Sequence, residues 1–73
     1  MGVRNTLRDL RFEMKMDQKD FAEFLGVNAS TYSRWESNNQ QPSMEWALKI
    51  ASKTGRTVEA FMLLDNQGII SLD

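Results

Sequence analysis

The sequence predicts a small all-α domain of five short helices with a short C-terminal extension. Three observations carry that prediction. Apolar residues recur at the three- and four-residue spacing that places them on one face of a helix. Residues with short acceptor side chains precede these stripes and glycines follow several of them, as helix caps do. The only proline, Pro42, closes the clearest polar run, Ser37-Asn38-Asn39-Gln40-Gln41, which reads as a loop between helices.

Val3, Leu7, Leu10 and Met14 form one stripe, so a first helix is expected to run to about Lys15. Asp17 can cap a second helix, whose stripe of Phe21, Ala22 and Leu25 stops at Gly26. Asn28 can cap a third, with Tyr32 and Trp35 on one face. After the polar loop, Ser43 can cap a fourth helix through Met44, Ala47, Leu48, Ile50 and Ala51, ending before Gly55. Thr57 can cap a short fifth helix carrying Val58, Phe61 and Met62. Asn66-Gln67-Gly68 reads as a turn, and Ile69-Ile70-Ser71-Leu72 as a short extended stretch. Residues 1–65 are expected to form one domain, with 66–73 a tail that serves as a short strand or a dimer contact. Helices this short are unstable alone, so packing must hold them.

Composition narrows the function. Seventy-three residues suffice for a single domain. The chain has no cysteine and no histidine, which removes disulfides, thiolate metal sites, the commonest zinc ligand and the usual general base. No nucleophile, base and pocket can be assembled, so the chain reads as a non-enzyme with no cofactor and no metal. The longest apolar stretch, Ala60 to Leu64, is far short of the ~20 residues of a membrane span, and no signal-peptide core precedes it. A cytoplasmic protein with no membrane partner is expected, and the initial Met and the acidic end at Asp73 read as those of a complete small protein. The net charge is −1 and the pI near 5.3. All nine Lys and Arg lie within residues 1–56, however, while the last seventeen residues carry only Glu59, Asp65 and Asp73 as charges. A weakly basic body with an acidic tail suits a modest, salt-sensitive phosphate binder.

The informative block is Gln18 to Trp35, QKDFAEFLGVNASTYSRW. A helix-turn-helix needs a small residue where its two helices cross, and Ala22 supplies it. Four residues on it needs one that tolerates a left-handed backbone in a tight turn, and Gly26 supplies that. The second of the two helices must bury part of one face and leave the other free. Tyr32 and Trp35, with Phe21 and Leu25, are core types, whereas Ala29, Ser30, Thr31, Ser33 and Arg34 are small or polar, as a groove-facing surface should be.

With these residues the sequence resembles the phage-repressor and Cro-like helix-turn-helix proteins, the xenobiotic-response-element family with a lambda-repressor-like domain. The resemblance runs from about Val3 to Leu64. It rests on Arg11, Gln18-x-x-Phe21-Ala22, Gly26-Val27, Ser33-Arg34-Trp35-Glu36, Pro42, the Met44-to-Ala51 helix, Gly55, Thr57-Val58 and Phe61. It implies a five-helix domain in which Gln18, Asn28, Asn38, Asn39, Gln40 and Gln41 contact DNA phosphates, and in which Ala29, Ser30, Thr31, Ser33 and Arg34 face bases in the major groove. Arg34 is the residue whose fork suits guanine O6 and N7. Arg11 and Glu36 match a structural ion pair between the first and third helices. The sequence departs from the family at Lys15, where glycine is usual, so a left-handed cap there would be strained or absent. Asp17 and Asp20 put negative charge beside Gln18, and the loop after Glu36 carries amides in place of Lys or Arg; these features weaken phosphate binding.

The reading is a sequence-specific regulator of transcription that binds double-stranded DNA. As a homodimer it would repress by occupying a pseudo-palindromic operator, with a partner protein as one means of control. Phe61, Met62, Leu63 and Leu64 are too many apolar residues for one short helix to bury, and Trp46 lies off the stripe of the fourth helix. Trp46, Phe61, Met62, Leu64, Ile69 and Ile70 are therefore expected at the dimer contact. The rival reading is an antitoxin-like or antirepressor-like module that uses the same surface to bind another protein.

Overall fold

The computed structural model describes residues 2–65. The chain enters through a strand β1 (Gly2–Asn5) and continues into four helices, α1 (Leu7–Glu13), α2 (Gln18–Leu25), α3 (Ala29–Glu36) and α4 (Met44–Thr54). A 3-10 turn (Val58–Ala60) then leads to a second strand β2 (Met62–Asp65). The strands pair antiparallel, Gly2 opposite Asp65 and Asn5 opposite Met62. The expected turn and extended stretch at 66–72 lie outside the described residues.

Two expectations are corrected. Among the described residues the domain is mostly helical but carries a two-stranded sheet, and four α-helices stand where five were expected. Val3 sits at helical spacing from Leu7, yet it belongs to β1. Asn5 ends that strand and turns its own Oδ1 to accept the Leu7 N–H at 3.0 Å, so the helix can begin only there. The expected fifth helix is one 3-10 turn followed by β2. A short run such as Phe61-Met62-Leu63-Leu64 carries no period that separates strand from helix. Pairing with a strand nearly sixty residues away decides the matter.

The N-caps are local and legible. Asp17 accepts from the Asp20 N–H at 2.8 Å, Asn28 from Thr31 at 2.8 Å and Ser43 from Trp46 at 3.2 Å. The exits of α1, α2 and α3 share one geometry, a residue in the left-handed region at Lys15 (φ 59°), Gly26 (φ 88°) and Asn38 (φ 63°). In each, the N–H after the left-handed residue reaches back to a carbonyl in the last turn: Met16 to Arg11, Val27 to Ala22, Asn39 to Arg34. The left-handed cap at Lys15 is thus present although the residue is not glycine. Arg11 secures it by donating from Nη1 to the Met16 carbonyl at 3.0 Å. A side chain in this conformation costs roughly 1–2 kcal/mol, partly offset by the greater unfolded-state freedom of glycine. Lys15→Gly is therefore expected to raise Tm by ~4 °C in a thermal melt; an unchanged or lowered Tm would remove the strain at this position.

The core lies between the helices and under β2. Leu7 and Leu10 from α1, Phe21, Ala22 and Leu25 from α2, Tyr32 and Trp35 from α3, Ala47 and Ile50 from α4, and Phe61 fill it. Its aromatic rings form a chain. Phe21 meets Tyr32 edge-on at 5.5 Å between centroids, Tyr32 meets Trp35 at 6.4 Å, and Trp35 meets Trp46 at 5.5 Å. Such pairs add to the burial of area and fix how α3 sits on α2 and α4.

Candidate nucleic-acid interface

Ala22 is buried where α2 meets α3, and Gly26 turns the chain between them. Asn28 then starts α3, its Oδ1 also accepting from the Ser30 hydroxyl at 3.1 Å. The inward face of α3 is Tyr32, Trp35 and Glu36. Ala29, Ser30 and Arg34 are exposed, and Thr31 and Ser33 are half-buried at the edges. The five residues expected to face bases therefore lie off the buried stripe, on a surface of small side chains through which one long one projects.

That long side chain is held. Arg34 donates from Nε to Oε1 of Gln40 at 3.1 Å and from Nη2 to the Thr31 hydroxyl at 3.4 Å. The guanidinium is braced between the helix surface and the following loop, so less side-chain freedom is lost when it meets a ligand.

The loop residues divide. Gln40 and Asn39 are exposed, and Gln40 braces Arg34. Asn38 and Gln41 are engaged within the protein. Asn38 accepts at Oδ1 from the Asn5 N–H and from Gln41 Nε2, both at 2.8 Å, and donates to the Asn5 carbonyl at 3.2 Å. Gln41 accepts from Asn5 Nδ2 at 2.7 Å. Asn5, which sequence reasoning passed over, is the centre of this group. It is 3% exposed, and its Nδ2 also donates to the Trp35 carbonyl at 2.7 Å. It ties β1, the start of α1, the end of α3 and the loop together. An asparagine just ahead of a helical stripe was the one signal available.

Gln18, at the head of α2, donates from Nε2 to Oε1 of Glu36 at 2.6 Å. Glu36 is buried and fully engaged. Arg11 approaches with Nε at 2.7 Å from Oε2 and Nη2 at 3.2 Å from Oε1, and the Tyr32 hydroxyl donates to Oε2 at 2.7 Å. Burial alone would raise the Glu36 pKa, but the hydrogen bonds from Arg11, Gln18 and Tyr32, with the charge of Arg11, outweigh it and hold the carboxyl below its ordinary value. Burial and the same carboxylate push the Tyr32 hydroxyl well above its ordinary range.

The residues expected at a dimer contact are dispersed. Phe61 is a core residue, 1% exposed, and is not available to a partner; the chain turns it inward between the 3-10 turn and β2. Trp46 is half-buried against Trp35, with Lys49 Nζ 4.8 Å from its ring centre. Met62 is half-buried and Leu64 is 70% exposed. Ile69 and Ile70 lie outside the described residues.

Among the described residues no cluster of three or more acidic side chains is placed to hold a metal ion, and no helix is long and apolar enough to cross a membrane. The model of the helix-turn-helix family matches residues 7–61. The chain is 37% identical over 49 residues to the cryptic phage CTXphi transcriptional repressor RstR of Vibrio cholerae; the match takes in 67% of this chain and 44% of that protein. It is 33% identical over 67 residues to an HTH-type transcriptional regulator of Methanothermobacter thermautotrophicus, covering 90% of this chain and 97% of the other.

Proposed function

The chain belongs to the helix-turn-helix family of transcriptional regulators, and from that premise we propose that it is a repressor that binds a pseudo-palindromic DNA operator as a homodimer. The observation that carries this reading is the outer face of α3. Small residues there allow close approach to base edges, and Arg34 stands among them already braced by Gln40 and Thr31. In this reading Ala29, Ser30, Thr31, Ser33 and Arg34 face the major groove, and Gln18, Asn28, Asn39 and Gln40 address phosphates. Asn38 and Gln41 act through the loop they shape, because their amides are taken up by Asn5 and each other. Repression follows from occupancy of a promoter by a domain of this size. The likeness to a phage repressor supports that role over activation.

A two-fold operator requires a two-fold protein. An apolar groove of about 290 Å³ runs between the sheet, the loop and α4, lined by Val3, Pro42, Met44, Ala47, Met62 and Leu64 among others. Leu64 and Met44 stand exposed at its rim, which supports a contact between copies here. The two α3 helices would then enter the groove one helical turn apart, ~34 Å.

The test is selection of bound duplexes from a random library at low and physiological salt. A pseudo-palindrome whose enrichment falls with salt is expected; no enrichment at either salt overturns the reading in favour of a protein partner. Leu64→Asp is expected to give a folded monomer in sedimentation experiments, because the side chain is exposed in the single chain, with a Tm that no longer rises with protein concentration. A dimer that persists in this variant would remove Leu64 from the contact.

A further inference from the structure

Arg4 and Arg8 carry two positive charges that the interface described above does not use. Both line a polar groove of about 380 Å³ whose opposite wall is Glu36, Ser37 and Asn38, the end of α3 and the start of its following loop. Arg8 is on the outer side of α1, its side chain 62% exposed and its Nε 3.9 Å from Oε1 of Glu36. That same oxygen takes the Gln18 amide. Arg8 and the side chain at the head of α2 therefore approach one oxygen, which places the Arg8 charge close to Gln18.

The charge of Arg8 is a surplus. Glu36 is matched by Arg11 at 2.7 Å and filled by Tyr32 and Gln18, so it has little left to neutralise a second arginine 3.9 Å away. Arg4 is exposed on β1, where the neighbouring Asn5 turns inward, and its charge lies on the same groove. Asp9 is the other acid in the lining. Two arginines and a single uncommitted acid beside a helix-turn-helix form a site for an oxyanion with several equivalent acceptors, which a guanidinium fork meets with paired hydrogen bonds.

We propose that Arg4 and Arg8 bind backbone phosphates of the DNA outside the bases that α3 faces, extending the phosphate contacts of Gln18 onto α1 and β1. The proposal rests on the DNA-binding reading and adds to it a flanking site. It also accounts for how a chain with an amide-rich loop and a net charge of −1 holds a polyanion: the cations are on the first helix and strand instead of in the loop.

Phosphate contacts release counterions, so they are read as the slope of log affinity against log salt. Fluorescence anisotropy titrations over a salt series would compare wild type, Arg8→Ala, Arg8→Gln and the double Arg4→Ala/Arg8→Ala on the selected duplex and on a scrambled one. Arg56→Ala, which removes a charge paired with Glu13 at 3.0 Å, controls for net charge. The expected result is a slope lower by ~0.9 per protomer, or ~1.8 for the bound dimer, in either Arg8 variant and by about twice that in the double variant, with equal losses on both duplexes. A wild-type slope in the double variant, or an equal fall in Arg56→Ala, overturns the flanking site while the DNA reading stands. Failure of the wild type to bind any duplex overturns both.

Discussion

Arg34→Ala is expected to weaken binding to the selected operator by about 1–3 kcal/mol for each half-site, and to erase the base preference at one position of each. The other side chains on the outer face of α3 are short, so in the proposed reading hydrogen-bond readout with a long reach would fall to Arg34, whose fork is already oriented by Gln40 and Thr31. The side chain is exposed and holds nothing in the core, so the melting curve should be that of wild type. Selection on the variant should return the same spacing of half-sites with one degenerate column. Gln40→Ala separates bracing from contact: it should cost less than Arg34→Ala on the specific duplex and leave the preferred base the same. Arg34→Lys should recover salt-dependent binding but not the lost column, since an ammonium cannot make the paired contact. If Arg34→Ala weakens specific and scrambled duplexes equally, Arg34 contacts a phosphate, and base reading must come from the short side chains of α3 alone.

What the sequence disclosed follows from how local each signal is. The caps at Asp17, Asn28 and Ser43 act over three residues, and the α2–turn–α3 unit is contained in Gln18 to Glu36, so both could be read from spacing. β1 and β2 could not. Each is four residues long, and what makes them strands is their pairing across the whole domain. Phe61 was misplaced for the same reason: the position after a 3-10 turn points it into the core, whereas a continuous helix would have left some of the Phe61–Leu64 run outside. The polar loop shows a different limit. Asn38, Asn39, Gln40 and Gln41 are chemically alike, and only the arrival of Asn5 from β1 decides that Asn38 and Gln41 bond to it and to each other while Asn39 and Gln40 do not. The resemblance supplied the Arg11–Glu36 pairing. It did not show that Gln18 and Tyr32 complete the same carboxylate, which only the packing of α1, α2 and α3 reveals.

Removing that carboxylate has the largest expected effect on stability. Glu36→Leu leaves Arg11, whose side chain is 12% exposed, charged without its partner, and orphans donors from Gln18 and Tyr32. Breaking a buried pair from one side costs about 3–5 kcal/mol. A domain of this length has roughly 4–11 kcal/mol in all, so the variant should be largely unfolded or melt tens of degrees lower. The cost lies in what is left unpaired more than in the bond lost. Arg11→Met with Glu36→Leu should therefore recover much of it, and adding Tyr32→Phe should recover more, since it removes the last buried hydroxyl that needs the carboxylate. Chemical denaturation of the single, double and triple variants checks this order; a double variant as unstable as the single would show that the carboxylate stabilises by more than answering its donors. Wild-type stability should carry the same signature in pH. Because folding lowers the Glu36 pKa, its contribution is complete above the ordinary value near 4.5 and is lost as pH falls through the lower folded value. Because folding raises the Tyr32 pKa, its contribution is complete below about 10 and is lost only as pH rises beyond that. The triple variant lacks both groups, so its stability should fall less than wild type from neutral pH in either direction.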